Sequence, residues 1–250
     1  MRFVLSGRSA GSLAAVLALF AGAIFTSQPA AAGDLERFSF DVQWRLIRAG
    51  TVVIDATPDS GRIKLDSAGL VSALFKIDDT YTVHYEPGRC ATDSLMNAQE
   101  GKRHRETKIT FDRTLNKGTS VLRDLRANTI LRQDQIDIPN CVHDVLGALL
   151  MLRNTRMDLG KSATFPVSDG RRAAQVKVDA QEREDVSTAA GTFHTIRYEA
   201  GLLNGVVYQR NGRVQLWLSD DARRLPVKVL VRMGFPVGNV TLELTKEEQP

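Results

Sequence analysis

The stretch "NCVHDVLGALLMLRN", residues 140–154, departs from the pattern of the chain around it. Elsewhere apolar and polar residues alternate with a period of two, which is typical of strands half buried in a sheet. In this stretch the apolar residues recur at helical spacing instead, at Val142, Val145, Leu146, Leu149 and Leu150. The segment therefore predicts one amphipathic helix in a chain that otherwise consists of strands.

Three residues with reactive side chains stand at the start of this helix, namely Cys141, His143 and Asp144. A thiol activated by a helix N-terminus and a neighbouring base is one interpretation. Residues two apart on a helix do not face each other, which disfavours a pair of Cys141 and His143. Asp144 fits a helix N-cap, with Asn140 as the alternative cap and a general acid or base as a further role for Asp144. His143 is expected to be a bystander.

The remainder of the chain favours an antiparallel sheet, because its alternation is apolar on one face only. "FSFDVQWRL" (38–46) is the clearest strand, and "LVSALF" (70–75) is ambiguous between a strand and a helical turn. Runs separated by turn residues predict strands at 38–46, 51–57, 62–69, 79–87, 104–112, 118–125, 128–136, 175–180, 193–200, 213–219, 226–233 and 239–245.

A sheet of this length must curl or be covered, since one face is apolar, and a single short helix cannot cover it. We therefore predict a mainly β fold. Its main feature is a large curled antiparallel sheet, open or closed into a barrel, with one main helix packed on its concave face. Such a shape often encloses an apolar cavity.

The first residues predict a secretory signal peptide. Arg2 precedes the apolar run "LAAVLALFAGAIF" (13–25), which is too short to span a membrane comfortably, and Ala30 and Ala32 supply small residues for a cleavage site. We expect cleavage after Ala32 and a periplasmic location, with an uncleaved membrane anchor as the alternative. Residues 33–250 are then expected to form a single mainly β domain without a transmembrane segment.

The exported part contains two cysteines, Cys90 and Cys141. Two cysteines in an oxidising compartment usually pair, so we predict a disulfide, with a reactive thiol as the alternative. Removing Arg2 and Arg8 with the signal peptide lowers the formal net charge from +4 to +2. That small excess does not predict a nucleic-acid partner.

No pattern in the chain indicates a metal, a cofactor or a catalytic centre. The spacings of His84, His104, His143 and His194 match no zinc site, and serine nucleophile elbows and Gly-rich phosphate loops are missing. Two acidic pairs, Asp78-Asp79 and Asp220-Asp221, are interpreted as turn residues. The basic run "GKRHRET" (101–107) is interpreted as the polar part of a hairpin, with contact to anionic lipid headgroups as the alternative.

Three pieces of the chain are specific enough to suggest a family. They are the helix from Asp144 to Arg153, the "E-x-V…AG-T-F-x-T-I" stretch within 183–200, and the "W-L-S-x-D…P-V" hairpin within 214–244. In this order they resemble a family of exported bacterial proteins whose domain of unknown function carries the number 3108. The resemblance spans almost the whole mature chain and brings no established catalytic residue.

The resemblance also bears on the helix start. Many relatives have Pro directly after the residue that matches Asp144, and Pro is favoured at the first helical position, which supports Asp144 over Asn140 as the cap. This chain departs with Val145, and with Gly147 where a small polar residue is usual. Glycine in a helix is expected to cost up to about 1 kcal/mol.

The final hairpin is similar, at the level of fold, to those of periplasmic lipoprotein carriers, which hold acyl chains in an open curled sheet. We therefore predict a periplasmic binding or carrier module for a hydrophobic or lipid-like ligand of the cell envelope. One alternative is a non-enzymatic scaffold that binds an envelope protein and no small ligand; the other is an enzyme with an unrecognised site. The residues expected to line the ligand space are Leu70, Leu74, Phe75, Leu146, Leu149 and Leu150.

Overall fold

The computed structural model describes residues 35–45, 47–201, 212–232 and 238–248. The predicted signal peptide and its cleavage site after Ala32 lie outside these residues. The described residues form fourteen strands and two helices. The strands are β1 Glu36–Trp44, β2 Ile47–Ala56, β3 Ser60–Ser67, β4 Ile77–Glu86, β5 Cys90–Glu100, β6 Arg103–Asp112, β7 Lys117–Asp124, β8 Thr129–Asp137, β9 Ser162–Ser168, β10 Ala173–Thr188, β11 Gly191–Gly201, β12 Arg213–Ser219, β13 Pro226–Arg232 and β14 Asn239–Glu248. The helices are α1 Gly69–Leu74 and α2 Val145–Asn154.

All the strands belong to one antiparallel sheet. Its order is β8-β7-β6-β5-β4-β3-β2-β1-β14-β13-β12-β11-β10-β9. Each strand thus pairs with its neighbours in sequence, except that β14 returns to pair with β1 and α2 separates β8 from β9. In the part of the chain that the structure describes, β8 and β9 are the edges, so the sheet does not close. The predicted fold class, a curled antiparallel sheet with a helix, is confirmed.

One face of the sheet carries the core, as the alternation predicts. On β1 the side chains of Phe38, Phe40 and Val42 are buried, and their direct partners on β2 and β14 include Val52 and Leu244, which are buried too. Residues paired directly across an antiparallel sheet share a face, which makes this apolar surface continuous from strand to strand. Helix α2 adds Leu146 and Leu150 to the same core.

The segment just before α2 connects two distant strands of the sheet. The backbone N–H of Ala91 in β5 donates to Val142 O at 2.8 Å. On the other side, His143 N donates to Pro166 O and Ser168 N donates to His143 O, both at 2.9 Å, in a parallel bridge to β9. The chain that enters the helix therefore ties β5 to the edge strand β9.

Neither helix within the described residues has the length and apolar character needed to cross a membrane.

Candidate functional site

An apolar cavity of ≈ 210 Å³ lies between α2 and the buried face of the sheet. Helix α2 contributes one wall, through Val145, Leu146, Ala148, Leu149 and Leu152. The facing wall comes from the second half of the sheet and includes Phe165, Val178, Tyr198, Leu216 and Val229, with Ile54 and Ile63 from β2 and β3. An engineered cavity of about 150 Å³ with comparable aliphatic and aromatic walls stays dry and binds benzene. The space in this protein is larger and suits an apolar group.

Among the residues that the sequence proposed for a ligand space, the structure brings two to this cavity, Leu146 and Leu149. Leu150, on the same helix, is fully packed into the core. The other three, Leu70, Leu74 and Phe75, lie on or directly after α1, are exposed to solvent, and are not part of the cavity wall. Contact of any of the six with a ligand stays a prediction.

The N-terminus of α2 is held by one carboxylate. Asp144 is the N-cap, and its side chain accepts from the backbone N–H groups of Leu146 at 3.1 Å and Gly147 at 2.8 Å. Two phenols of β4 also donate to it, the hydroxyl of Tyr81 at 2.8 Å and that of Tyr85 at 3.0 Å. Burial and then the charge of Asp144 raise the pKa of both tyrosines, which keeps them in the donor form. Four donors occupy this carboxylate, which makes it a fixed structural anchor.

Gly147 is explained by the same contacts. A Cβ at this position would lie 2.8 Å from Asp144 Oδ1 and 3.0 Å from Tyr85 Cε1. The absence of a side chain therefore allows the cap and the tyrosine to approach the first turn closely. The expectation that Gly147 simply weakens the helix leaves out this local gain.

Cys90 and Cys141 form the predicted disulfide, which is confirmed, with a Cα–Cα distance of 5.0 Å. The bond fastens the start of β5 to the segment that enters α2. His143 is buried and its Nδ1 lies 2.7 Å from the carbonyl oxygen of Arg89. Since a carbonyl only accepts, Nδ1 is the donor in this bond. His143 thus connects the same two segments as the disulfide does, and it is not the expected bystander.

Arginines hold the other end of α2. The guanidinium of Arg224, in the turn between β12 and β13, donates to the terminal helix carbonyls of Arg153 at 2.6 Å and Leu152 at 3.2 Å. A cation near unpaired carbonyls is favourable at a helix C-terminus. Arg224 also donates to the hydroxyl of Tyr198 at 2.9 Å, so the aromatic ring of Tyr198 can line the cavity with its polar end satisfied.

Arg153, in the last turn of α2, donates in turn to the backbone of Arg224. Its Nε donates to Arg224 O at 3.0 Å, and its two terminal nitrogens form a fork on the carboxylate of Glu36 at 2.8 and 2.9 Å. The hydrogen bond from Arg153 holds the pKa of Glu36 below its usual range. The helix is consequently fixed at both ends, with its apolar side facing the cavity between them.

Neither Arg224 nor Glu36 was predictable from the sequence, because each contacts α2 from a distant part of the chain. The only relevant signal was the recurrence of the Arg153 helix and the "W-L-S-x-D…P-V" hairpin in one family.

A second buried acid lies on β4. The sequence interpretation placed Asp78-Asp79 in a turn, which was wrong, since both residues are in the strand. Asp79 is 6% exposed and its Oδ1 accepts from the backbone N–H of Gln99 at 2.9 Å. Burial, followed by the nearby charge of Glu100, raises the pKa of Asp79 to about 6. Within the described ranges no group of three or more His, Cys, Asp or Glu residues is arranged to hold a metal.

A curled antiparallel sheet with one helix over an apolar cavity defines the class of this protein, and the family follows from comparison. The model of a family described as "Protein of unknown function (DUF3108)" matches residues 39–245. The chain belongs to this family. No curated protein matches it.

Two solved structures are similar in fold. One is a β-barrel-like protein of the domain of unknown function DUF1849 from Brucella abortus, with a TM-score of 0.56 and 10% identity, covering 87% of this chain and 98% of that one. The other is a DUF1089 family protein from Pseudomonas aeruginosa, with a TM-score of 0.40 and 11% identity, covering 74% of this chain and 90% of that one. At such identities the first likeness concerns the fold alone.

Proposed function

We propose that this protein is an exported, periplasmic binding or carrier module for a hydrophobic or lipid-like ligand of the cell envelope, which it takes up in the cavity beside α2. The observation that carries the proposal is the ≈ 210 Å³ cavity with walls of aliphatic and aromatic side chains. Burial of apolar surface favours binding of an apolar chain in such a space, and the walls offer few polar groups that would have to lose water.

The contacts at the two ends of α2 support a preformed site. Asp144 and Arg224 fix the helix independently of any ligand, so the cavity wall does not have to be assembled on binding. A preorganised pocket loses less conformational entropy when it is filled.

The proposal does not include catalysis. The residues that raised a catalytic interpretation all have other partners: Cys90 and Cys141 in the disulfide, His143 on the Arg89 carbonyl, and Asp144 on four donors. These engagements favour a binding protein over an enzyme.

Titration with a fluorescent fatty-acid analogue tests the proposal. Ala148→Phe places a large ring on the helix wall of the cavity, where Ala148 is only partly buried. We expect saturable binding by the parent protein and at least about tenfold weaker binding by this variant, because filling the space removes the burial that drives binding.

The matched control is Ala190→Phe, the same substitution in the exposed turn between β10 and β11. It should bind the analogue as the parent does. Absence of saturable binding by the parent, or equal binding by the parent and Ala148→Phe, would remove the carrier function and favour the scaffold alternative.

A further inference from the structure

Helix α1 presents apolar side chains to solvent in a way that the cavity does not explain. None of its residues is buried, and Leu70 and Leu74 are 73% and 88% exposed. Phe75 directly follows the helix and is 46% exposed, and Ile47 at the start of β2 is 52% exposed. The helix lies against the start of β2, since Ala68 N donates to Ala49 O at 2.8 Å. Exposed apolar side chains thus lie on α1, directly after it, and on the neighbouring start of β2.

Basic residues border these side chains. Lys76 follows Phe75, and its carbonyl accepts from Gly101 N at 2.7 Å, which places the turn between β5 and β6 against the end of α1. The same turn carries Lys102 and leads into Arg103, and all three cations are exposed. Among the described residues none of the three forms an ion pair closer than 4.0 Å.

Acids lie nearby, but none of those in the described ranges forms an ion pair with the three exposed cations. Asp66 and Asp78 both contact Lys64, and Asp79 is buried. Glu100 is only partly exposed. Helix α1 itself contains neither an acid nor a base. The surface made by Ile47, Leu70, Leu74, Phe75, Lys76, Lys102 and Arg103 is called the α1 rim below.

The α1 rim and one end of the cavity lie on the same side of the sheet, where every second strand ends. In an antiparallel sheet whose neighbouring strands follow one another in sequence, every second strand ends on the same side. The end of β3, which leads into α1, therefore lies on the same side of the sheet as the end of β11 and the start of β12. Gly201 and Val214, the residues at that end of β11 and β12, line the cavity.

We propose that the α1 rim docks on the surface of an anionic lipid bilayer. Leu70, Leu74 and Phe75 enter the boundary between headgroups and acyl chains, and Lys76 and Lys102 contact lipid phosphates. Exposed apolar side chains with a border of cations match the two parts of such a surface, since apolar insertion and attraction to anionic headgroups add up.

This docking goes beyond the proposed carrier function, because it requires no ligand in the cavity. It also assigns a role to Leu70, Leu74 and Phe75, which do not line the cavity. A protein partner is the competing occupant, and the test separates it from a bilayer.

Flotation with vesicles tests the docking. The full chain, recovered from the exported fraction, is mixed at low salt with vesicles of phosphatidylcholine alone or of phosphatidylcholine with phosphatidylglycerol. We expect the parent to float with the anionic vesicles, and binding to fall with added salt. The variant Leu70→Ser/Leu74→Ser should bind anionic vesicles at least about tenfold more weakly than the parent, because it lacks two highly exposed apolar side chains.

Leu115→Ser is the matched control. Leu115 is 66% exposed in the turn between β6 and β7, on the side of the sheet where the opposite ends of the strands lie. It should float like the parent. Lys76→Glu/Lys102→Glu should lose the preference for anionic vesicles while binding weakly to neutral ones. Unchanged melting temperatures show that the variants are folded, as expected for exposed positions.

Two outcomes would overturn the docking: a parent protein that ignores anionic vesicles, which leaves the rim to a protein partner, or a Leu70→Ser/Leu74→Ser variant that floats as well as the parent. The cavity is tested separately by the cavity variant. Ala148→Phe should float normally, and the rim variants should bind the fatty-acid analogue normally in solution, so failure of one proposal leaves a result different from failure of the other.

Discussion

At the scale of single residues, Gly147 shows how a tertiary contact reverses a local preference. Helix propensity alone predicts that Gly147→Ala stabilises the helix by about 1 kcal/mol. The structure places the new Cβ 2.8 Å from Asp144 Oδ1 and 3.0 Å from the Tyr85 ring. We therefore expect Gly147→Ala to lower the free energy of unfolding by about 1–3 kcal/mol, measured by denaturant unfolding.

Ala148→Gly, one position along, is the control for that substitution. It has no comparable constraint at the cap and should cost about 1 kcal/mol, as glycine ordinarily does in a helix. A Gly147→Ala variant more stable than the parent would contradict the close packing at the cap.

Asp79 makes a prediction about pH. Because its pKa is raised to about 6 from 3.8, the folded protein holds this proton at pH values where the unfolded chain has lost it. Stability therefore falls as pH rises from about 4 to 6 and stays lower above that range. Asp79→Asn removes the ionisation, and its Oδ1 still accepts from Gln99 N. The variant should be more stable than the parent by about 1–3 kcal/mol at pH 7–8 and nearly equal to it at pH 4.

The neighbouring Asp78→Asn is the control with the opposite sign. The hydrogen bond from Lys64 lowers the pKa of Asp78, so this carboxylate stabilises the fold above its unfolded pKa, and that contribution is lost as pH falls. Asp78→Asn should thus lower the melting temperature at neutral pH. Parallel melting curves for the parent and Asp79→Asn from pH 4 to 8 would show that Asp79 is not the titrating group.

At the scale of elements, the strands were predictable where one face of the sheet is buried and the other is exposed to solvent. The twelve predicted strands all appear, with ends that differ by several residues in some cases. Two strands were missed, β5 and β9. In β5, "CATDSLMNAQE", polar residues fall on both faces, which removes the alternation. In β9, Pro166 interrupts the pattern. The edge strand tolerates it because no further strand of the sheet pairs with its outer side, where Pro166 contributes only its carbonyl, which accepts from His143 N.

The candidate site was predictable only in its helix. The helical period identified α2, and the cap chemistry together with the family resemblance identified Asp144. The facing wall of the cavity needed the curvature of the sheet, which places β9–β13 opposite α2, and no local pattern encodes that. The same limit applies to α1, whose exposed leucines have the composition of a core segment.

The ends of α2 provide a prediction at this scale. Arg224→Lys retains the charge but loses the planar fork that serves the helix carbonyls and Tyr198. We expect it to lower the free energy of unfolding by about 2–4 kcal/mol, because buried acceptors lose their donors. The adjacent Arg223→Lys, on an exposed side chain with ion-pair contacts, should change it by less than about 1 kcal/mol. Equal effects in chemical denaturation would argue against Arg224 as the C-terminal anchor.

At the scale of the whole molecule, the disulfide and the segment 141–143 tie together strands that lie far apart in the sheet. Cys90 and Cys141 are separated by 51 residues, and closing such a loop is worth about 4 kcal/mol on the chain-entropy estimate. Cys90→Ser and Cys141→Ser should lower the melting temperature by similar amounts, and the double substitution should add little to either, because each removes the same bond. Two reactive groups in a thiol titration of the native parent would be incompatible with this role.

The proposed carrier function requires that the space between α2 and the sheet holds an apolar molecule. Native mass spectrometry of the protein recovered from a periplasmic fraction tests it most directly, since the mass of a retained lipid adds to that of the chain. We predict that the parent and Ala190→Phe carry the same additional mass and that Ala148→Phe, folded but with the cavity filled, carries none. Repeatedly empty spectra of the parent, or the same additional mass on Ala148→Phe, would contradict the claim.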